Sequence, residues 1–179
     1  MKRFVSFVLL TSLLLGVTMS GCKRRKRTPE STVAETPTGP ATMLSAADPR
    51  AAVQFTKGFY EVEDGQWRWS MREFAVALKP PAGAEAKGAT LYAKILFPEA
   101  SIQKLGPVTL SAKIGSFTTT PARYDKPGLY EYRADLPASA LTTSGMATVD
   151  FTLDKALAPG DVDQRELGAI VRIVGFEAK

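Results

Sequence analysis

The 179-residue chain contains no histidine and only one cysteine, Cys22. Without histidine the commonest general base and metal-ligating side chain is missing, which excludes Ser-His-Asp and Cys-His catalysis within the chain. A single cysteine excludes an internal disulfide and a multi-cysteine zinc site. Long apolar runs are scarce. The longest, "FVSFVLLTSLLLGV" at residues 4–17, falls short of the roughly 20 residues that an ordinary membrane-spanning helix needs. No window of ten or more residues carries a helical apolar stripe. A basic domain is missing as well. The formal net charge is +5, but residues 1–49 hold seven basic and three acidic side chains, a net +4. The remainder is close to neutral, so a nucleic-acid partner has no electrostatic footprint and is not expected.

What is present begins at the N-terminus. Lys2 and Arg3 precede the apolar run, and "MSGC", residues 19–22, follows it. A short positive segment, a short apolar segment and small residues are the parts of an export signal. With Cys22 at its end, the stretch resembles the lipobox of bacterial lipoproteins. Ser20, Gly21 and Cys22 match that pattern, and Met19 stands where leucine is usual. The resemblance implies a signal peptide over residues 1–21, with Cys22 lipidated as the first residue of the mature protein. The other reading is an ordinary secretory signal with a leftover cysteine. Lys23, Arg24, Arg25, Lys26 and Arg27 then lie at the headgroups, where each basic side chain adds about 1 kcal/mol near anionic lipid. The expected partner of this segment is therefore a membrane. Lys23 is not the aspartate that retains many lipoproteins in the inner membrane, so the expected address is the outer membrane, facing the periplasm, in a cell that has one.

Residues 22–50 are read as the anchor, the basic run and a disordered Pro/Thr/Ser-rich tether. Residues 51–179 are read as one domain. Its apolar residues alternate with period two. Phe74, Val76 and Leu78 share one face; so do Leu91, Ala93, Ile95 and Phe97; Val108, Leu110, Ala112 and Ile114; Tyr130, Tyr132, Ala134 and Leu136; and Val149, Phe151 and Leu153. "AIVRIVGF", residues 169–176, is apolar on both faces except at Arg172, as a covered central strand is. Asp64-Gly65 is a two-residue hairpin signal, Pro127-Gly128 suits a type II turn, residues 80–88 read as an exposed loop, and residues 137–142 suit a short helical turn. About eight or nine strands give an all-β fold, a single jelly-roll-like β-sandwich.

Two stretches bear on function. In "QWRWSMRE" a strand puts Trp67 and Trp69 on one face and Arg68 on the other. Such a tryptophan pair can stack on sugar rings, with Arg68 bonding hydroxyls and Tyr92 and Tyr124 extending an aromatic patch. The alternative is that the rings fill the core. In "DVDQRELG", Asp161, Asp163 and Glu166 are carboxylates that a calcium ion would use, but the EF-hand spacing is absent and no metal is expected. Glycoside hydrolysis would need two of Asp154, Asp161, Asp163 and Glu166 facing each other in a cleft. The favoured reading is a structural clasp, in which Asp163, Arg165 and Glu166 fix the loop and Gly168 permits the turn into the last strand.

"WRW", "LGPVTLSAKI", "DKPGLYEYRADLP" and "DQRELGAIVRIVGF" together resemble the succession in galactose-binding-like jelly-roll modules of cell-envelope proteins and bacterial glycosyltransferase systems. Arg165, Glu166, Leu167 and Gly168 carry the sharpest match. The resemblance implies the fold first and association with carbohydrate second. The expectation is a non-catalytic, cofactor-free envelope binding module that recognises a glycan or glycosylated partner. A structural lipoprotein that binds another envelope protein is the alternative.

Overall fold

The structure, a computed structural model, describes residues 39–141, 145–160 and 163–179. The leader, Cys22, the basic residues 23–27 and Asp161 lie outside the described residues. None of the described helices is long and apolar enough to cross a membrane.

Ten strands form among the described residues: β1 (Met43–Ser45), β2 (Phe55–Phe59), β3 (Arg68–Leu78), β4 (Ala89–Phe97), β5 (Val108–Ile114), β6 (Phe117–Thr118), β7 (Ala122–Tyr124), β8 (Gly128–Leu136), β9 (Ala147–Leu153) and β10 (Ile170–Ala178). Their order is β6-β5-β9-β3-β10-β4-β8, with β1 on β10, β2 on β3 and β7 on β5. Every pairing is antiparallel. The eleven-residue β3 joins two layers. Its first residues, Arg68 and Trp69, pair with β10, and its later ones pair with β9. The sheet therefore curls on itself into an all-β, jelly-roll-like sandwich, with β1, β10, β4 and β8 in one layer and β2, β9, β5, β6 and β7 in the other.

The alternation places the core. Phe74, Val76, Leu78, Val108, Leu110, Ala112, Ile114, Val149, Phe151 and Leu153 face inward from one layer, against Leu91, Ala93, Ile95, Phe97, Tyr132 and Leu136 from the other. Within one layer Phe74 stacks on Phe151 at 4.8 Å between ring centres, and across the layers Tyr132 meets Phe151 edge-on at 6.4 Å. Aromatic rings prefer offset and edge-to-face contacts of this kind. In β10 the register shifts between Val171 and Ile173. This bulge carries Arg172 out of the apolar run, and its guanidinium reaches Gln66 Oε1 at 2.6 Å.

The N-terminal boundary of the domain differs from the one read in the sequence. Residues 41–50 belong to the sandwich rather than to the tether. β1 pairs with β10, Leu44 is fully buried, and Ala46 N donates to Arg172 O at 2.8 Å. Gln54, also buried, fixes this segment. Its Nε2 donates to Ala41 O and Ala77 O, and its Oε1 accepts from Ala41 N. A three-residue strand is too short to show alternation, so it merges into the Pro- and Ser-rich stretch before it.

Smaller findings concern turns. The loop at residues 80–88 contains one helical turn, α2 (Ala84–Lys87), with Ala84 and Gly88 buried. α1 (Ala51–Gln54) and α3 (Glu99–Leu105) are similarly short, and a 3₁₀ turn covers Ala138–Leu141. Asp64 and Gly65 turn the hairpin, both left-handed at φ 51° and 62°, but its loop has three residues rather than two, because Glu63 pairs with Trp67. The type II turn at Pro127-Gly128 does not form, because Gly128 (φ 153°) is already paired with Phe97 as the first residue of β8.

Candidate functional site

The tryptophans stand where a hairpin joins the first layer. Glu63 pairs with Trp67 near the hairpin tip, and Trp69 lies opposite Ile170 of β10. Both rings are half-buried and meet edge to face, 6.2 Å apart at 84°. The register carries this face further. Ile170 is opposite Leu96 of β4, and Leu96 is opposite Leu129 of β8. Ile95 and Phe97 point into the core, so Leu96 and its partners point out. Trp69, Ile170, Leu96 and Leu129 thus form one apolar row across the outer face, ending in an exposed Leu129.

The next row in the same register is Ile173 and Lys94. Here a depression of about 400 Å³ opens, lined by Ser45, Gln66, Lys94, Arg172 and Ile173 among others. It offers the Ser45 hydroxyl and the Lys94 ammonium beside an apolar row, with Arg172 and Gln66 bonded to each other. Sequence reading missed these residues because they come from the hairpin tip, β1, β4 and β10, and only the register brings them together. One signal was present: Leu96 interrupts the alternation of β4 with an outward apolar side chain.

Three residues expected at a sugar site are placed elsewhere. Arg68 is not free for a ligand. Its Nε donates to Ala46 O at 2.9 Å and its Nη1 to Tyr60 O at 3.0 Å, with the side chain only 14% exposed. It pins the N-terminal segment instead. Tyr92 is on the same outer layer, beyond the Lys94 row, and lies beneath Arg133, whose guanidinium carbon sits 4.6 Å from the ring centre. Burial and the neighbouring Glu131 push its phenol up. Tyr124 is a core residue, packed on Phe97 at 4.9 Å and Tyr130 at 4.7 Å, and burial pushes its phenol up to about 12.

Asp163 and Glu166 of the "DVDQRELG" stretch are engaged separately. Arg165 bonds Asp163 through Nε and Nη2, while its Nη1 reaches Glu63 at 2.6 Å. The second partner is thus a carboxylate of the hairpin. Its guanidinium also lies 5.1 Å from the centre of the Tyr60 ring. The bonded Arg165 side chain holds the Asp163 carboxyl below its ordinary range, and both carboxylates raise Arg165. Glu166 Oε1 accepts from Arg72 N at 2.7 Å, and Asp154 Oδ1 accepts from Thr109 N at 2.7 Å. Gly168 is pressed against β3. A Cβ there would lie 2.5 Å from Met71 O and 2.9 Å from Ser70 Oγ. The buried Ser70 bonds this corner from both ends, accepting at O from Gly168 N and at Oγ from Ala169 N. Among the described residues no three His, Cys, Asp or Glu side chains gather as metal ligands would.

The chain matches no family model, no curated protein and no solved structure. Function is therefore argued from the site itself. A larger groove of about 830 Å³, lined by Pro40, Met43, Arg50, Lys79 and Leu141 among others, lies apart from the tryptophans. Its Arg50 is bonded by Asp48 at 2.7 Å and 2.9 Å, and no aromatic side chain among the described residues lines it.

Proposed function

We propose that the protein is a lipid-anchored, non-catalytic binding module of the bacterial cell envelope that recognises an envelope glycan or a glycosylated partner. The observation that carries this reading is the half-buried Trp67–Trp69 corner beside the depression lined by Ser45, Gln66, Lys94 and Arg172. A sugar ring presents apolar C–H faces and a polar rim, and a recognition site for it combines an aromatic wall with a few convergent polar groups. The lipobox-like leader and the likeness to galactose-binding-like modules support the same reading. Catalysis would require acid–base groups converging on one cleft, whereas Asp154, Asp163 and Glu166 each hold a loop or strand in place.

A second reading has its own support. The Trp69–Ile170–Leu96–Leu129 row runs apolar over four strands, with Ile170 buried, to the exposed Leu129, which suits a protein partner better than a polar glycan. Binding of the full chain to isolated envelope polysaccharides and a glycan panel separates the two. Saturable binding lost in Trp67→Ala and in Lys94→Ala, both still folded, is the expected result. Absence of binding to every glycan would overturn the glycan reading in favour of the protein partner.

A further inference from the structure

We propose that two copies of this chain pair edge to edge through β8, in antiparallel register centred on Tyr132. β8 ends the strand order on its side, with β4 as its only strand neighbour among the described residues. Its nine residues pair with β4 in nine successive steps without a register shift, so the free edge is straight and regular. Sheet edges that must remain alone are interrupted by a bulge or an internal proline, or carry charges. β8 has neither bulge nor internal proline, and its charges are of both signs. Pro127 and Pro137 stand just outside its two ends, and its outward side chains are Leu129, Glu131, Arg133 and Asp135.

Those charges select a register rather than repel a copy. In the register that matches all nine residues, Gly128 faces Leu136 and Tyr132 faces itself. Glu131 then lies across from Arg133 of the second copy, and the two-fold axis repeats the pair. Sliding by two residues in either direction sets Arg133 against Arg133 or Glu131 against Glu131. Opposite charges directly across a strand pair stabilise it and like charges destabilise it, so one register is favoured over its neighbours. Both side chains are about half exposed, Glu131 at 52% and Arg133 at 48%. Arg133 is held on the outer face by Glu177 and the Tyr92 ring, beside the edge where the second copy would arrive.

The pairing makes one continuous sheet of the two outer layers and displays two Trp67–Trp69 corners on the same side. Such a pair would engage a repeating ligand with avidity, although the dimer itself does not depend on what the face binds.

The test is sedimentation of the full chain in detergent, with Glu131→Arg and Arg133→Glu alone and mixed. The parent is expected to dimerise. Each substitution places two like-charge pairs in the interface and should raise the dissociation constant by about 10- to 100-fold. An equimolar mixture restores opposite signs at both pairs and should re-form a dimer. Near-UV circular dichroism checks that each variant is folded. If Arg133→Glu unfolds, Glu131→Arg decides alone, since Glu131 is half exposed and gives up only the bond from the Tyr92 hydroxyl and its pairing with Arg133. A monomeric parent would overturn the proposal. So would a dimer that neither substitution moves, as a shared micelle would give, or folded variants whose mixture stays monomeric.

Discussion

Replacing Leu44 with alanine tests directly where the sandwich begins. Leu44 is fully buried, opposite Val174 of β10, and belongs to the main core cluster. A buried leucine truncated to alanine loses about 2–5 kcal/mol, with the larger values where the surroundings cannot close the cavity. Closure is hindered here. β1 is bonded at both ends, by Phe176 N to Thr42 O and by Ala46 N to Arg172 O, and Gln54 holds Ala41 in place. A loss of about 3 kcal/mol is therefore expected. With a urea dependence of about 1–3 kcal/mol per molar for a small protein, the unfolding midpoint should fall by about 1–3 M. Ser45→Ala, on the same strand but exposed, should stay within about 0.5 kcal/mol. Urea unfolding followed by tryptophan emission reads both, because Trp67 and Trp69 sit where β3 meets β10. If Leu44→Ala moved the midpoint no more than Ser45→Ala does, residues 41–46 would be tether and the assignment of β1 to the core would fail.

Two further outcomes follow from the packing. Gly168→Ala should cost about 1–3 kcal/mol through steric overpacking, since the new methyl group meets backbone at Met71 and the side chains of Leu153 and Ser70; an unchanged thermal midpoint would show that this corner is looser than described. Tyr124 bears on alkaline stability. Its folded-state pKa of about 12 lies above the usual value near 10, so the fold keeps this contribution fully below pH 10 and loses it as pH rises toward 12. Near-UV absorbance titration should show late-ionising tyrosine coupled to unfolding, and Tyr124→Phe should unfold less readily in alkali. All five tyrosines titrating together near pH 10 in the folded protein would refute this.

The long strands were legible because alternation at period two is a direct trace of one buried face, and β3, β4, β5, β8 and β9 each bury one face over many residues. β1 is three residues long, and β2 has register shifts on both sides of Lys57, where Gly58 fits against the backbone of Glu73. Neither repeats long enough to leave a pattern. The helical turns are likewise shorter than the period needed to recognise them. The candidate face was half legible. Trp67 and Trp69 were visible as a pair, but whether a ring points to solvent depends on which strand lies beside it, and that strand is β10, about a hundred residues later. Arg68 and Arg165 look alike in sequence. One is sealed against two carbonyls and the other against two carboxylates, a difference made entirely by what the fold brings to each.

The position of β10 has a consequence for how the chain must be made. This strand is paired with β1, β3 and β4, and its partners include Met43, opposite Gly175. It is also the last element of the sequence. A chain emerging from its N-terminus leaves β1 without its neighbour, and one side of β4 open, until the final residues appear. Contacts of such large sequence separation form late and slowly. For the exported protein proposed above this delay would be useful, because the chain would stay open while threaded through a membrane and the sandwich would close only once β10 had passed through.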